Sequence, residues 1–289
     1  MEIMRRFVYP LENREQLREH VDDPGFDVRA YSLMKHGGWR HTQSYGRRMF
    51  DELEQDPQVR KRFYGPAPPL FFVAWASVRP TCFNLTRVVA DEVNTRRRTR
   101  GLPLAPIVKI TKDRVTAANY AAASRAERAA DLATIAFELP NVDLRQRCAI
   151  VLDDIRVTGL AESVVIGLFE NTEIAHLLLA YLVLVDPLLA SADPQIEDVI
   201  NQYAVASPLD MLDSIHRDDF VLTVRFVKFL LRSDASVIAQ FVAGGGHDVA
   251  AGVLDAAHAT GRDFVEAHRQ GVGAIREALI SQHASRPSS

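Results

Sequence analysis

Up to about residue 190, short apolar runs alternate with stretches of helical periodicity. Leu70–Ala76, Ala105–Ile110 and Ile174–Val185 are dominated by apolar residues over the length of a strand. Such runs are typical of strands that are covered on both faces of a sheet. The stretches between them have amphipathic helical spacing, as in His41–Glu54, or are rich in alanine, as in Ala117–Phe137. Strands that alternate with helices predict βαβ units and therefore a parallel sheet.

The two ends of the chain have a different pattern. Met1 to about Ala30 is mixed and polar, with a helical patch around Asn13–Val21. From Pro194 onward the apolar spacing is helical throughout, as in Phe220–Leu231. The pattern predicts three parts: an accessory or hood segment over 1–60, a core over 61–190 and a helical region over 191–289.

One apolar run leads directly into polar residues that suit a ligand. Ala149–Leu152 is followed by Asp153 and Asp154, then by Thr158 and Gly159, and then by a helical pattern. Ligands of parallel sheets bind where a strand ends and the next helix begins, and the free backbone N–H groups there favour phosphate. Carboxylates accept hydrogen bonds from sugar hydroxyls and attract divalent cations. The stretch therefore predicts a site for a ribose phosphate.

The order of residues from Ala149 to Ala161 resembles the phosphoribosyl pyrophosphate (PRPP) motif of type I phosphoribosyltransferases. That motif has four hydrophobic residues, two acids, two hydrophobic residues, a variable position, Thr, Gly and a small or hydroxylic pair. Three positions depart from it. Val157 replaces an Asp that often serves as base in purine-salvage members, Ala161 replaces a hydroxylic residue, and Arg156 stands where an apolar residue is commoner. The first departure leaves the acceptor open, whereas the loop amides still suit phosphate.

The resemblance implies an α/β fold, with a parallel-sheet, Rossmann-like phosphoribosyltransferase core, a hood and a helical C-terminal cap. It also implies that PRPP binds with Mg²⁺. Asp153 and Asp154 would hold the ribose hydroxyls and the metal, directly or through water. The 5-phosphate would lie against Arg156, Val157, Thr158, Gly159, Leu160, Ala161 and Glu162.

Two further loops resemble pyrophosphate-binding segments of the family. Ser77, Val78 and Arg79 follow the first core strand, where family members grip pyrophosphate with backbone amides and a basic side chain. The basic loop after the third strand resembles the mobile loop of the ComF-like, competence-associated branch. By this resemblance Arg79, Lys109 and Lys112 are the catalytic candidates, and Ser77, Val78, Arg79 and Arg114 would contact pyrophosphate. An ordinary turn and a solvated loop are the alternatives.

The same branch has a segment that is similar to Tyr31–Gly38, with Lys35 and His36, before its core. We expect a structural or acceptor-side role for it. The ComF-like order also places a helix carrying Tyr120, Ser124 and Arg128 before the PRPP motif.

The acidic motif has two other interpretations. A Walker-B strand of a nucleotide triphosphatase would need a G-x-x-x-x-G-K-[ST] loop elsewhere, and the chain contains no Gly-Lys pair. A buried strand that simply ends in two solvated acids remains open.

Composition narrows the function classes. The 289 residues are 47% hydrophobic and 25% charged, as in ordinary globular proteins, and the net charge of -3 gives no general attraction to nucleic acid or membrane. The basic run Arg96–Arg98 suits a helix C-terminus. Cys82 and Cys148 indicate free thiols of a reducing compartment. Ile174–Val185 is too short to span a bilayer, and no signal peptide is evident, so we expect a cytoplasmic protein.

The sequence therefore favours a pentosyltransferase that moves 5-phosphoribosyl from PRPP to a nucleobase or another small metabolite and releases pyrophosphate. Its ligands would be PRPP and that acceptor, without nucleic acid or membrane, and a homodimer remains open. The alternative is a non-catalytic protein of the same fold that senses PRPP or nucleotides in regulation or defence.

Overall fold

Six strands form one sheet in the order β1-β6-β5-β2-β3-β4. The computed structural model describes residues 1–17, 25–115, 125–193 and 195–284. All neighbouring strands are parallel except β4, which runs antiparallel to β3. The strands are β1 (Glu2–Leu11), β2 (Leu70–Trp75), β3 (Ile107–Lys112), β4 (Phe137–Glu138), β5 (Cys148–Arg156) and β6 (His176–Val185).

Helices cover both faces of this sheet, as its apolar strands require. Alternate residues of a strand point to opposite faces, so Phe71 and Ile150 enter one buried cluster while Phe72 and Ala149 enter another. The first face is covered by α1 (Val28–Lys35), α2 (Trp39–Gln55), α3 (Pro57–Phe63) and α4 (Thr81–Thr99); α6 (Leu160–Glu170) lies on the second face and contacts α5 (Arg125–Ala133). The chain thus has a mostly parallel α/β sheet with an additional helical region, as the sequence predicted.

Two strands differ from the sequence prediction. The prediction of a mixed, polar segment is wrong for the first residues, because β1 pairs in parallel with β6. Of the predicted helical patch around Asn13–Val21, Arg14–Gln16 is a short 3-10 turn, and residues 18–21 lie outside the described residues. β1 lies at the sheet edge, and its apolar run is interrupted by Arg5 and Arg6, whose side chains pair with Glu162 and Asp56. An edge strand with such charges lacks the continuous apolar signal of a central strand.

The predicted helix Ala117–Phe137 is shorter at its C-terminal end, because Phe137 begins strand β4. Tyr120 and Ser124 lie outside the described residues, as does the side chain of Arg128. The three-part division of the chain stays a prediction, although β1 joins the sheet of the middle part.

The C-terminal region is helical and has its own hydrophobic core. Val205, Phe226, Phe241 and Ile275 are among the buried residues of that core. Leu33, from α1, and the loop residues Val78 and Val115 pack against it. The region comprises α7 (Pro187–Ala192), α8 (Ile196–Gln202), α9 (Leu212–His216), α10 (Val224–Leu231), α11 (Ala235–Phe241), α12 (His247–Thr260), α13 (Arg262–Ala267) and α14 (Arg269–Ala284).

By length and composition, one helical run in the described residues could cross a membrane. Ala235–Thr260 has a mean hydropathy of 1.3, and 33% of its most apolar window is buried. A π turn at Val242–Gly246 bends the run, with Gly245 at φ 101°. Phe241 and Val253, on either side of the bend, are buried in the C-terminal core. The core helix of a soluble protein meets the same criteria of length and composition.

The basic run at the end of α4 includes one buried arginine. Arg97 is fully buried and donates hydrogen bonds to the carbonyl oxygens of Pro103 (2.5 Å), Phe63 (2.5 Å) and Gly65 (3.1 Å). Its guanidinium thus satisfies backbone acceptors of two loops that would otherwise be left without partners. At this position the run has a structural role.

Candidate active site

The acidic pair and the Thr-Gly bend lie at the carboxyl end of β5, beside β2 and β6. Gly159 has φ 73° and precedes the first residue of α6, and no side chain caps that helix. The first N–H groups of a helix have no intrahelical acceptor, and the helix dipole adds partial positive charge there. The loop therefore presents backbone donors to an anion, as the sequence predicted for the 5-phosphate.

Asp154 is buried and held by two residues of α1. The ammonium of Lys35 forms an ion pair with its carboxylate, and the hydroxyl of Tyr31 donates a hydrogen bond to the same oxygen, Oδ2, at 2.7 Å. Burial alone raises the pKa of Asp154, but the Lys35 charge and hydrogen bonds from its neighbours outweigh burial and lower it. Asp154 is therefore an ionised carboxylate whose charge is largely balanced from within the protein.

Asp153 is the more accessible of the two acids. Its Oδ1 accepts a hydrogen bond from the backbone N–H of Asp154 at 2.9 Å. Burial and the neighbouring charge of Asp154 raise the pKa of Asp153 well above its usual range. The ionised form of Asp153 is therefore disfavoured beside ionised Asp154, and a cation close to the pair would stabilise it.

Glu162 is bound by three protein side chains. Arg5 Nε lies 3.0 Å from its Oε1, while Arg156 Nε and the Tyr181 hydroxyl lie 2.8 Å from its Oε2. Burial raises the pKa of Glu162, but the three hydrogen bonds outweigh it and lower the pKa. Its carboxylate is thus an ionised anchor for Arg156 and has little capacity to act as a general base.

Arg156 in turn covers the bend. Its Nη2 atom lies 2.8 Å from the position that a Cβ atom would occupy on Gly159. The guanidinium therefore adds positive charge beside the loop amides, which agrees with the predicted role of Arg156 next to a phosphate.

Two cavities meet at the acidic pair. The smaller, about 160 Å³, is lined by the loop and the first turn of α6, together with Tyr181. The larger, about 330 Å³, lies between α1, the start of α4, and α8 and α10 of the C-terminal region. Asp153 and Asp154 line both. The site thus has two compartments with the carboxylates between them.

The predicted pyrophosphate loop after β2 is attached to the C-terminal region. The Ser77 hydroxyl lies 2.7 Å from that of Thr260, Val78 packs against the C-terminal core, and the Arg79 carbonyl accepts from Val224 N at 3.2 Å. The Arg79 guanidinium lies 4.4 Å from the centre of the Phe83 ring. None of the three residues lines either cavity, and the loop ends where the wall of the larger cavity begins, at Pro80.

The three basic site residues predicted at and after β3, Lys109, Lys112 and Arg114, have different surroundings. Lys109 donates to the Ala76 carbonyl at 2.9 Å and lies over the Trp75 ring, so it fixes the end of β2. Burial lowers the pKa of Lys112, and nearby Cys82, which lines the larger cavity, raises it. Arg114 is exposed and pairs with Asp113 at 3.0 Å. Lys112 thus interacts electrostatically with a residue that lines the larger cavity.

The fit of Mg²⁺ depends on the acidic pair. Within the described ranges, no three or more His, Cys, Asp or Glu side chains gather into a metal site. Mg²⁺ is commonly held by one or two carboxylates, with substrate phosphates and water completing its shell. Asp153 and Asp154 supply such a donor set; Lys35 pairs with Asp154, whereas the side chain of Asp153 has no cation paired with it among the ion pairs of the described residues, so a bound cation would stabilise its ionised form. The residues therefore fit a magnesium ion that is shared with a bound substrate.

Sequence reasoning found part of this site and missed the rest. It noted Lys35 and His36 but not their contact with the acidic pair or with the larger cavity. It also missed Arg225, Lys228 and Arg232, which line that cavity. Their spacing on one face of a predicted helix was the signal that could have identified them.

Comparison with known proteins gives a family match over most of the chain. A model described as ComF-like phosphoribosyltransferase (PRTase) matches residues 15–273. No curated protein matches the chain.

Solved structures similar to this one include three hypoxanthine or hypoxanthine-guanine phosphoribosyltransferases. The hypoxanthine-guanine phosphoribosyltransferase of L. donovani is 14% identical, with a TM-score of 0.33 over 51% of this chain and 70% of that one. The hypoxanthine phosphoribosyltransferase of Trypanosoma cruzi is 10% identical, with a TM-score of 0.34 over 52% of this chain and 75% of that one. That of Staphylococcus aureus is 11% identical, with a TM-score of 0.33 over 50% of this chain and 74% of that one. Likeness at this level carries no weight for residue roles.

The assignment therefore depends on the family match. The family match agrees with the mostly parallel sheet and with the acidic pair and Thr-Gly bend at the end of β5. Phosphoribosyl transfer is the general activity that family and fold support. The chain belongs to the ComF-like phosphoribosyltransferase family.

Proposed function

We propose that this protein binds PRPP and transfers its 5-phosphoribosyl group to a small-molecule acceptor with release of pyrophosphate. One observation carries the proposal: the acidic pair separates a compartment with uncapped helix amides from a second one with several cations. PRPP has a phosphate at one end of its ribose and a diphosphate at the other. Its hydroxyls would lie at Asp153 and Asp154.

Each predicted residue has a role in this proposal. The loop from Arg156 to Glu162 would hold the 5-phosphate through its amides and the Arg156 guanidinium. Asp153 and Asp154 would bind the ribose hydroxyls and hold Mg²⁺, which supplies charge neutralisation to the diphosphate when bound. Lys112 would approach the leaving group from the β3 side. Lys109 and the segment Ser77–Arg79 would position the end of β2, and Arg114 would meet pyrophosphate only from outside the cavity.

In the reaction, the bond between ribose C1 and the diphosphate oxygen breaks as the acceptor forms its bond to C1. Both bonding electrons leave with pyrophosphate, so cations near the diphosphate stabilise the transition state. Such chemistry depends on positioning and on neutralising the leaving group more than on a protein nucleophile.

Apart from the acidic pair, which the proposal assigns to the ribose hydroxyls and Mg²⁺, the motif residues offer no evident carboxylate base for the acceptor's proton. Val157 stands at the usual base position and is buried, and Glu162 is held by Arg5, Arg156 and Tyr181. His36 lines the larger cavity, but burial, Arg225 and Lys35 lower its pKa to about 3, so it is a weak base. The proposal therefore favours an acceptor that is already acidic, such as an ionised nucleobase or phenol.

PRPP binding and turnover are tested together. Calorimetric titration of the full chain with PRPP and Mg²⁺ is expected to show saturable binding that weakens when the metal is chelated. Addition of a metabolite pool should then release pyrophosphate. Absence of PRPP binding would contradict the proposal.

A PRPP sensor is the second candidate, and the lack of an evident base at Val157 and Glu162 favours it. Tight PRPP binding with no pyrophosphate release from any acceptor pool would identify the sensor. In that case the binding site stands and the transferase activity does not.

A further inference from the structure

Helix α10 has one apolar face and one basic face. Phe226, Val227, Leu230 and Leu231 are buried in the C-terminal core. Arg225 and Lys228, one turn apart, lie on the other face, and Arg232 follows one turn later at the end of the helix. Because residues three and four positions apart are neighbours on a helix, these three cations form one row.

This row lines the larger cavity opposite the acidic pair. α10 is held there by contacts with the core: the Phe229 ring lies 5.0 Å from that of His36, and Val224 N donates to the Arg79 carbonyl at 3.2 Å. Thr81 and Cys82, at the start of the 19-residue helix α4, form another wall. No side chain caps α4, so the amides of its first residues, Thr81 and Cys82, have no intrahelical acceptor.

The charges around the cavity favour an anion in its interior. Lys35, Arg225, Lys228 and Arg232 line it together with three acids, Asp153, Asp154 and Asp198. Lys35 already balances Asp154. The Arg225 side chain lies 3.9 Å from the carboxylate of Glu197, which balances part of its charge.

The pKa directions agree with crowded positive charge. Burial lowers the pKa of Arg232, and the neighbouring Arg225 lowers it further. A bound polyanion would relieve this repulsion.

We propose that the basic face of α10, formed by Arg225, Lys228 and Arg232, binds the diphosphate of PRPP, so that the C-terminal region is part of the donor site. The inference rests on the proposed function. The acids between the two compartments would bind the ribose, the loop before α6 would bind the phosphate at C5, and the diphosphate at C1 would then extend into the larger cavity. A cavity of about 330 Å³ with several cations suits such a leaving group better than a neutral acceptor.

Calorimetry with three probes tests this assignment: PRPP with Mg²⁺, ribose 5-phosphate, and inorganic pyrophosphate with Mg²⁺. Lys228→Gln and Arg232→Gln are each expected to weaken PRPP binding by about tenfold, since each removes one charge-assisted contact. The pair together should weaken it further. Ribose 5-phosphate, which lacks the diphosphate, should bind these variants as it binds the natural protein.

The matched control is Arg217→Gln. Arg217 is an exposed cation of the same region that pairs with Asp213 and does not line the cavity. The Arg217→Gln variant should bind all three probes as the natural protein does. Arg232 lies at the end of α10 with much of its surface exposed and its guanidinium partly buried, so its variant is expected to fold, and thermal unfolding checks this.

The outcomes separate the two proposals. Suppose that the natural protein binds PRPP. If the α10 variants then bind PRPP equally well, or if their affinity for ribose 5-phosphate falls as much as their affinity for PRPP, the diphosphate assignment is overturned while the proposed function stands. If the natural protein binds pyrophosphate but not PRPP, and the α10 variants lose pyrophosphate, the proposed function fails and the anion site on α10 stands. If the natural protein binds neither PRPP nor pyrophosphate, both the proposed function and the diphosphate assignment are overturned.

Discussion

Replacing Lys35 with Met is expected to lower the free energy of unfolding by about 3–5 kcal/mol, because it leaves the carboxylate of Asp154 buried without its charge partner. Only 8% of each side chain is exposed, so water cannot take the place of the ammonium. Tyr31 would still donate one hydrogen bond to Asp154, but one neutral donor does not compensate a buried charge. Urea denaturation followed by circular dichroism measures the loss.

The double variant Lys35→Met/Asp154→Asn is the control for this prediction. It removes both charges and keeps an acceptor for the Tyr31 hydroxyl, so most of the lost stability should return. If Lys35→Met costs less than about 1 kcal/mol, or if the two changes add without recovery, the ion pair does not hold α1 against the end of β5.

Replacing Gly159 with Ala is expected to weaken the binding of PRPP and of ribose 5-phosphate together, by about a hundredfold. At φ 73° a residue with a Cβ is strained by about 1–2 kcal/mol, and the new atom would lie 2.8 Å from Arg156 Nη2. Either the bend changes shape or the guanidinium moves, and in both cases donors to the phosphate lose their alignment. Calorimetry with both ligands measures the effect.

Gly167→Ala is the matched control, because Gly167 lies in the same helix and its new Cβ would have no atom within 4 Å. It should stabilise α6 by about 0.5–1 kcal/mol and leave binding unchanged. Unaltered binding in Gly159→Ala would place the 5-phosphate elsewhere. A loss confined to PRPP would indicate that the bend contacts the diphosphate instead.

The sequence predicted the parts of the fold that depend on continuous apolar runs. β2, β5 and β6 are buried on both faces, so their residues carry a strong local signal. β1 has one neighbour and carries Arg5 and Arg6, and β4 spans only two residues. For such strands the pairing partner determines the structure, and a partner distant in sequence leaves no local pattern.

The sequence predicted the part of the site that one continuous segment of the chain forms. The acids, the Thr-Gly bend and the start of α6 are consecutive, so a motif describes them. Lys35 and Lys228 come from helices far apart in the chain, and only folding brings both to the same cavity as Asp154. No local pattern in the sequence encodes the distance between them. Arg79 shows the converse: its position after β2 matched the expected loop, but its guanidinium lies on Phe83.

A crystal structure of the full chain with PRPP and Mg²⁺ tests the central claim most directly. The account predicts the 5-phosphate within hydrogen-bond distance of the amides from Gly159 to Glu162. The ribose hydroxyls should lie at Asp153 and Asp154, and the diphosphate beneath Lys228 and Arg232. PRPP bound at another place, or absent from both compartments at saturating concentration, would contradict the account.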